Sequence, residues 1–243
     1  MRAAAPRAAG VALAAALALA GVAVAERSAL AAGRPVQLLA TDGRVVAAQI
    51  YEAASRPAPA VVLVHMLGRS LADWEATALG LQDAGITALA IDLRGHGGSG
   101  GAIGALPDMV QDVRGAIQWL AARPGVRPDA LALAGASLGA NLALLAAVDE
   151  PLARAVAVVS PSLDYRGVRV GPDVVRRLSG RALWMAASTE DPLALRTIKD
   201  LAIDGALVEQ QLSGVAAHGT RLLADDPSLA RALVDWLRQR LIS

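Results

Sequence analysis

Short apolar runs alternate with longer amphipathic or apolar stretches along most of the chain. Most of these short runs hold about five to seven apolar residues, which is the length of a buried strand. In chain order these runs are AVVLVHMLG, ITALAID, ALALAG, AVAVVS, RALWMAAS and ALVEQQL. The longer stretches predict helices over residues 70–84, 107–122, 137–148 and 226–241. Strands that alternate with helices in this way predict a mostly parallel central sheet, covered by helices on both faces.

Two extended runs at the start of this domain flank a turn. The stretch VQLLATDGRVVAAQIYEA has Asp42 and Gly43 between its apolar halves. Asp-Gly between apolar runs is a strong hairpin signal, because these residues tolerate the positive φ angles of a tight turn. We therefore expect an antiparallel hairpin at one edge of the sheet. The fold class that follows is α/β, with one core over residues 36–243 and no second domain.

The composition argues against several classes of protein. Hydrophobic residues occupy 55% of the 243 positions, a globular composition that alanine inflates. The net charge is +1 and aromatic residues make up 2%, so neither a basic surface nor a stacking platform for nucleic acid is expected. The chain has no cysteine, so no disulfide can hold the domain and its core must do so alone.

The N-terminus has the layout of a secretory signal. Arg2 and Arg7 precede an apolar run over residues 8–25, which ends in the cleavage-site pattern Ala-Val-Ala. We expect export to the periplasm or the medium, with no stable membrane partner beyond this signal. An uncleaved membrane anchor is the alternative, because about 17 apolar residues is the lower limit for spanning a bilayer. The chain then divides into a signal peptide (1–25), a linker (26–35) and the α/β domain (36–243).

Residues 135–139, GASLG, put a serine between two glycines where a predicted strand meets a predicted helix. This is the G-x-S-x-G pattern, in which a strained turn projects the hydroxyl above the sheet and larger residues at the glycines would clash. The helix that begins here also aims its first amides at the place where an oxyanion would form. The pattern alone also fits an ordinary helix start, but its position between strand and helix favours Ser137 as a nucleophile.

A nucleophilic serine needs a base, and the chain offers three histidines. His218 follows the last predicted strand, downstream of Ser137, and is the expected base. The acid is expected between them, on the loop after the strand RALWMAAS. Asp191 is favoured there, with Glu190 and Asp164 as alternatives, although an aspartate before proline equally fits a helix cap. The carboxylate would hold the His218 ring in the productive tautomer.

Five motifs occur in order along the mature chain: LVHMLGRS, AIDLRGHGGSG, GASLGA, STEDP and AHGT. In these motifs the chain resembles the α/β-hydrolase superfamily, above all compact carboxylesterases and dienelactone-hydrolase-like members without a lid. The resemblance implies an oxyanion hole made by the amides of Leu138 and Leu67, with Met66 as the fallback for Leu67. Met66 stands where the family usually has glycine, and methionine lacks the backbone freedom of glycine. The resemblance also implies that His65 and His96 are structural.

Members of this family differ mainly between the sixth strand and the acid strand. Here that segment, residues 160–180, is too short for a cap domain, and its serines are expected to be ordinary loop residues. We therefore expect an open site that suits small or exposed acyl groups. Met66, Leu67 and Tyr165 are its expected walls, although each could instead be plain packing.

Together these features predict an exported serine hydrolase. Ser137 would attack an ester-type carbonyl, His218 would take its proton, and water would resolve the acyl-enzyme. A peptidase or a thioesterase would use the same mechanism. The alternative from another class is a non-catalytic exported binding protein that kept the fold, and the Met66 departure is its main support. We expect a small-molecule ester as the partner, no cofactor and no metal.

Overall fold

The computed structural model describes residues 33–203 and 207–242, and the predicted signal peptide lies outside them. The strands of its main sheet are β1 (Arg34–Leu39), β2 (Val45–Tyr51), β3 (Ala58–Val64), β4 (Thr87–Ile91), β5 (Val126–Ala136), β6 (Ala153–Val159), β9 (Ala182–Ser188) and β10 (Val208–Ser213). The hairpin of β7 (Asp164–Tyr165) and β8 (Val168–Arg169) forms a separate small sheet.

The main sheet has the strand order β1-β2-β4-β3-β5-β6-β9-β10. β1 pairs antiparallel with β2, and β2 pairs antiparallel with β4. All the other pairs within this sheet are parallel. The predicted parallel sheet with an antiparallel hairpin at one edge is therefore confirmed.

The helices cover both faces of the sheet. They are α1 (Glu75–Asp83), α2 (Val110–Ala121), α3 (Leu138–Asp149), α4 (Pro172–Arg177), α5 (Pro192–Leu201), α6 (Thr220–Asp225) and α7 (Pro227–Ile242). Helices α2 to α5 pack on one face and α1, α6 and α7 on the other, and each face has its own apolar core.

Strand β3 shows why the central strands are continuous apolar runs. Val62 and Val64 point into the core under α2 to α5, whereas Val61 and Leu63 point into the core under α1, α6 and α7. All four side chains are fully buried. Successive side chains of a strand face opposite sides, so a sheet covered on both sides needs an apolar residue at every position.

Two details differ from the predictions. Strand β1 begins at Arg34, so Arg34 and Pro35 belong to the sheet and not to the predicted linker. Helices α4, α5 and α6 and the β7–β8 hairpin were not expected. Helices α4 and α6 have six residues each, which is too short for a helical period to emerge from the sequence.

The segment between β6 and β9 is compact. Residues 160–180 hold only the β7–β8 hairpin and α4, so this described segment contains no cap domain. The buried side chain of Asn141 on α3 fastens it: Nδ2 donates to the carbonyl oxygens of Ser162 (2.7 Å) and Val168 (2.8 Å), and Oδ1 accepts from the Ser162 N–H (3.1 Å). The absence of a cap agrees with the open site expected from the sequence.

Within residues 33–203 and 207–242, no helix combines the length and the apolar character that crossing a bilayer requires.

Candidate active site

Ser137 lies between the end of β5 and the start of α3. Its backbone has φ 52° and ψ −116°, a strained region for a residue with a side chain. The flanking glycines follow from close packing. A Cβ added at Gly135 would lie 2.1 Å from the Gly139 carbonyl oxygen, and one added at Gly139 would lie 2.3 Å from the Val64 carbonyl oxygen. The turn therefore needs both glycines to hold Ser137 in this conformation.

Two hydrogen bonds join Ser137, His218 and Asp191. His218 Nε2 lies 2.9 Å from Ser137 Oγ, and His218 Nδ1 lies 2.5 Å from Asp191 Oδ2. An ionised carboxylate only accepts hydrogen bonds, so Nδ1 carries the proton and Nε2 accepts from the serine hydroxyl. The residues follow β5, β9 and β10, whose carboxyl ends meet at one edge of the sheet. The structure thus brings the three predicted residues together.

Asp191 has two roles at once. Its Oδ2 faces His218, while its Oδ1 accepts from the Ala194 N–H at 3.1 Å and caps α5. The alternative carboxyl groups are placed elsewhere. The Glu190 side chain is exposed, and Asp164 accepts from Arg169 and Gly167 within the β7–β8 hairpin. Of the three carboxyl groups considered from the sequence, Asp191 is therefore the one that contacts His218.

The loop that carries His218 is anchored on its C-terminal side by Ser160. The buried Gly219 N–H donates to Ser160 Oγ at 3.0 Å. Ser160 is 1% exposed and has φ 51°, so its side chain is fixed at the end of β6. An ordinary loop serine is expected at this position from the sequence, and that prediction is wrong for the Ser160 side chain. Its contribution comes from a contact between residues 59 positions apart, which no local pattern signals.

A second anchor follows one residue later. The Thr220 hydroxyl donates to Asp73 Oδ2 at 2.8 Å, and Asp73 accepts two hydrogen bonds from Arg69 at 2.7 and 2.8 Å. The Arg69 guanidinium holds the pKa of Asp73 below its usual value, so this carboxylate stays ionised as an acceptor. The His218 loop is therefore connected to the segment between β3 and α1.

Two buried histidines hold the loop after β3. His65 Nδ1 donates to the Met66 carbonyl oxygen at 2.7 Å, and its Nε2 accepts from the Leu93 N–H at 3.0 Å. Burial lowers the pKa of His65, which favours the neutral ring that this pair of bonds requires. His96 Nε2 accepts from the Gly68 N–H at 3.1 Å. Both rings thus form hydrogen bonds with backbone groups, and none of these contacts involves Ser137.

The same loop contains a tight turn over residues 66–69. The Arg69 N–H donates to the Met66 carbonyl oxygen at 3.2 Å, and Gly68 at the third position has φ 73°. A turn with positive φ at this position favours glycine there. Met66 is not among the positive-φ residues. The sequence alone suggests that this loop needs a glycine at position 66. The structure shows that the positive φ angle occurs at Gly68, where a glycine is present.

The three predicted wall residues lie in different surroundings. The partly exposed Met66 turns its sulfur toward the His218 loop: a Cβ added at Gly219 would lie 2.6 Å from Sδ, and Thr220 Oγ1 lies 3.7 Å from it. Leu67 and Tyr165 are half-buried and pack against the core under α2 to α5. A contact with substrate stays a prediction for all three.

A partly buried ionic cluster surrounds Arg94. Arg94 is 5% exposed, and its guanidinium contacts Asp112 at 2.6 Å and Asp42 at 2.8 Å. The Arg94 carbonyl oxygen accepts from His96 Nδ1 at 3.1 Å. The cluster thus fastens the β1–β2 turn to the loop that holds His96. In the described part of the chain, no three His, Asp or Glu side chains are grouped as a metal site would require.

Comparisons with known proteins give one matching family and two relatives that are similar in sequence. The model of the family described as serine aminopeptidase, S33, matches residues 55–208, more than half of the chain. Thiohydrolase apmlB of Arthrinium phaeospermum is 35% identical over 135 residues, which cover 52% of this chain and 42% of that protein. Polyketide transferase ATR5 of Stachybotrys chlorohalonatus is 31% identical over 137 residues, which cover 54% and 45%. The matched part spans less than half the length of both proteins.

A solved structure extends the similarity to nearly the whole fold. Esterase Pf2001 of Pyrococcus furiosus superposes with a TM-score of 0.74 and covers 88% of this chain and 93% of its own. The two sequences are 16% identical. At that level the likeness concerns the fold alone.

Proposed function

The chain belongs to the serine aminopeptidase S33 family of the α/β-hydrolase superfamily, and we propose that it is a serine hydrolase of ester-type carbonyls. The superfamily and the fold expected from the sequence are confirmed. The observation that carries the proposed activity is the pair of hydrogen bonds, 2.9 and 2.5 Å long, that joins Ser137 to His218 and His218 to Asp191.

In the proposed reaction, Ser137 Oγ attacks the carbonyl carbon while His218 Nε2 takes its proton. The proton on Nδ1 stays in the hydrogen bond to Asp191, whose negative charge stabilises the imidazolium. The imidazolium then protonates the leaving oxygen, and an acyl-enzyme remains on Ser137. Water enters next and gives a proton to Nε2 while its oxygen attacks the acyl carbon. The bond to Ser137 Oγ then breaks, the imidazolium returns the proton to Oγ, and the carboxylic acid leaves. The His218 side chain is 48% exposed, which supports this step because solvent can reach the base.

Two backbone amides would stabilise the oxyanion. Leu138 is the first residue of α3, where an amide lacks an intrahelical acceptor. The second donor follows from the Met66–Leu67 peptide. The Met66 carbonyl oxygen points at His65, and in a trans peptide the next N–H points the opposite way. We therefore favour the Leu67 N–H over that of Met66. One such donor is worth roughly a hundredfold or more in kcat.

The short segment between β6 and β9 supports a preference for small or exposed acyl groups. It contains a two-stranded hairpin and a six-residue helix. We therefore propose a preference for small esters. Met66 and Tyr165 would be the side chains that limit the size of the acyl group. A series of aryl esters with increasing acyl length tests it: kcat/KM should be highest for the shortest acyl groups.

Thioester hydrolysis is the second candidate. The 35% identical relative is called a thiohydrolase, and the proposed mechanism needs no change for a sulfur leaving group. A matched ester and thioester of the same acyl group distinguish the two candidates. A kcat/KM that is higher for the thioester by more than its greater chemical reactivity would favour this second activity.

A fluorophosphonate probe tests the proposed nucleophile directly. We expect the folded protein to be labelled at neutral pH, and Ser137→Ala to be unlabelled and inactive toward a short-chain aryl ester. Ser162→Ala is the matched control, because the Ser162 hydroxyl is buried without a hydrogen-bond partner and its removal breaks no hydrogen bond. This control should keep both labelling and activity.

The same experiment distinguishes the proposed enzyme from the non-catalytic binding protein. If correctly folded wild-type protein is neither labelled nor active, the binding-protein alternative holds and the proposed activity is wrong. Labelling that persists in Ser137→Ala would mean that another residue is the nucleophile.

A further inference from the structure

Sulfur is scarce in this protein, and one sulfur atom lies beside the candidate active site. The chain has no cysteine and four methionines. Met109 and Met185 are fully buried, and Met1 lies outside the described residues. Met66 is therefore the one methionine of the described residues whose side chain is partly exposed. Of the three described methionines, Met66 is therefore the one open to a mild two-electron oxidant in the solvent.

The position of Met66 couples it to the proposed catalytic base. The sulfur lies against Gly219, the residue after His218, so closely that a Cβ at Gly219 would be 2.6 Å from it. The Thr220 hydroxyl lies 3.7 Å from the sulfur and donates its hydrogen bond to Asp73 at 2.8 Å. A change at this sulfur therefore acts on the loop that positions His218.

We propose that Met66 is an oxidation site through which peroxides lower the activity of this protein. The inference rests on the proposed hydrolase activity for its functional consequence, though not for the chemistry at sulfur. In the reaction, the Met66 sulfur attacks one oxygen of hydrogen peroxide. An S–O bond forms, the O–O bond breaks, and the second oxygen takes up the proton that the first oxygen loses and leaves as water. The sulfur loses two electrons, and the peroxide gains them.

Oxidation changes the contact in two ways. A thioether is apolar and a weak acceptor, whereas a sulfoxide is polar and a strong acceptor. The new oxygen competes with Asp73 for the Thr220 hydroxyl, which lies within reach of the sulfur. The polar group also replaces an apolar packing contact against Gly219. Both changes loosen the anchoring of His218. We expect kcat to fall about tenfold, because a small misplacement of a catalytic group has effects of this order or larger.

The test exposes the purified protein to hydrogen peroxide for increasing times. Peptide mass spectrometry follows the oxygen uptake of each methionine, and hydrolysis of a short-chain aryl ester follows activity. We expect Met66 to be oxidised before Met109 and Met185, and activity to fall in step with Met66 sulfoxide. Methionine sulfoxide reductases should restore activity and the unmodified mass together.

Two variants separate Met66 from other targets. Met66→Leu keeps a similar volume without sulfur and should retain its own untreated rate through the treatment. Met185→Leu removes a fully buried sulfur and should lose activity as fast as the wild type. The proposal is overturned if Met66→Leu loses activity as fast as the wild type, or if wild-type activity falls while Met66 stays unmodified.

A readout that needs no hydrolysis distinguishes this inference from the proposed function. Deuterium exchange of the peptide containing Gly219 should accelerate on oxidation, because its N–H loses the stable geometry of its bond to Ser160. If the untreated protein is inactive but exchange accelerates with Met66 oxidation, the proposed function fails and the coupling stands. If the untreated protein is active and complete Met66 oxidation alters neither exchange nor rate, the coupling is wrong.

Discussion

Replacing Asp191 by asparagine tests the arrangement of the site most directly. Asp191 uses both carboxylate oxygens: Oδ2 accepts from His218 Nδ1, and Oδ1 accepts from the Ala194 N–H. An asparagine side chain has one acceptor oxygen, so it can serve only one of these donors. If the oxygen keeps the helix cap, the NH₂ group faces His218 and favours the tautomer whose Nε2 is protonated. That tautomer cannot accept the proton of Ser137.

The size of the effect follows from two contributions. To recover the productive tautomer, the variant must give up the helix cap, which costs about 1 kcal/mol or roughly fivefold in rate. The imidazolium also loses the carboxylate that stabilises it. In a Ser-His-Asp triad the whole change lowers kcat by about 10⁴. Because the His218 side chain is 48% exposed, solvent stabilises part of its charge. We therefore expect a loss of about 10³-fold, or roughly 4 kcal/mol.

The assay is kcat for a short-chain aryl ester, with thermal unfolding as the check on folding. Asp191→Asn should unfold within a few degrees of the wild type, because at most one cap bond is lost. Glu190→Gln is the matched control: it makes the same chemical change at the adjacent, exposed carboxylate and should keep kcat within about twofold. The reasoning is refuted if folded Asp191→Asn keeps more than a tenth of the activity, or if Glu190→Gln abolishes it.

Three further outcomes follow from the structure. Ser160→Ala removes the acceptor of the buried Gly219 N–H, so kcat should fall about tenfold with KM little changed, as steady-state kinetics will measure. Asp112→Ala leaves the buried Arg94 guanidinium with one carboxylate, and urea denaturation should show about 3 kcal/mol lower free energy of unfolding. Burial lowers the pKa of His65 from 6.5, so below pH 6.5 the unfolded chain binds a proton that the folded protein does not. The free energy of unfolding should therefore decrease as pH falls below about 6.5, by at most about 1.4 kcal/mol per pH unit, and His65→Gln should lose this slope in urea titrations.

The main sheet could be predicted because each central strand carries its own signal. β3 is buried on both faces, so every one of its seven positions is apolar, and the run stands out from its surroundings. β1 was less clear, because it is an edge strand with exposed positions, and its first two residues were assigned to the linker. The helices α4 and α6 were missed because six residues complete fewer than two turns. Short length and exposure account for these misses but not for α5, which has ten residues and carries the buried residues Ala194, Ile198 and Leu201 at helical spacing.

In the site, residues within local sequence motifs could be predicted, whereas a residue that acts through a contact distant in sequence could not. Ser137 and Asp191 occupy strand ends within recognisable motifs, so residue type and chain order favoured them as candidates, with Glu190 and Asp164 left open as alternatives to Asp191. Asn141 also left a signal, as the single polar side chain within the apolar helix LGANLALLAAV, although its three buried hydrogen bonds were not anticipated. Ser160 left none, because a serine at a strand end is ordinary until its hydroxyl is found beside the Gly219 amide.

Met66 bears on the choice between an enzyme and a non-catalytic relative. As a replacement for glycine it was the main support for lost activity, because methionine lacks the backbone freedom of the glycine that the family usually has at this position of the loop after β3. The positive φ of that loop falls on Gly68, and the Met66 carbonyl is held by His65. The Leu67 N–H therefore points away from His65 and remains the candidate for the second donor of the proposed oxyanion hole. The side chain in turn packs on Gly219 beside His218, so the departure from the family pattern adds a contact between this loop and the loop that carries His218.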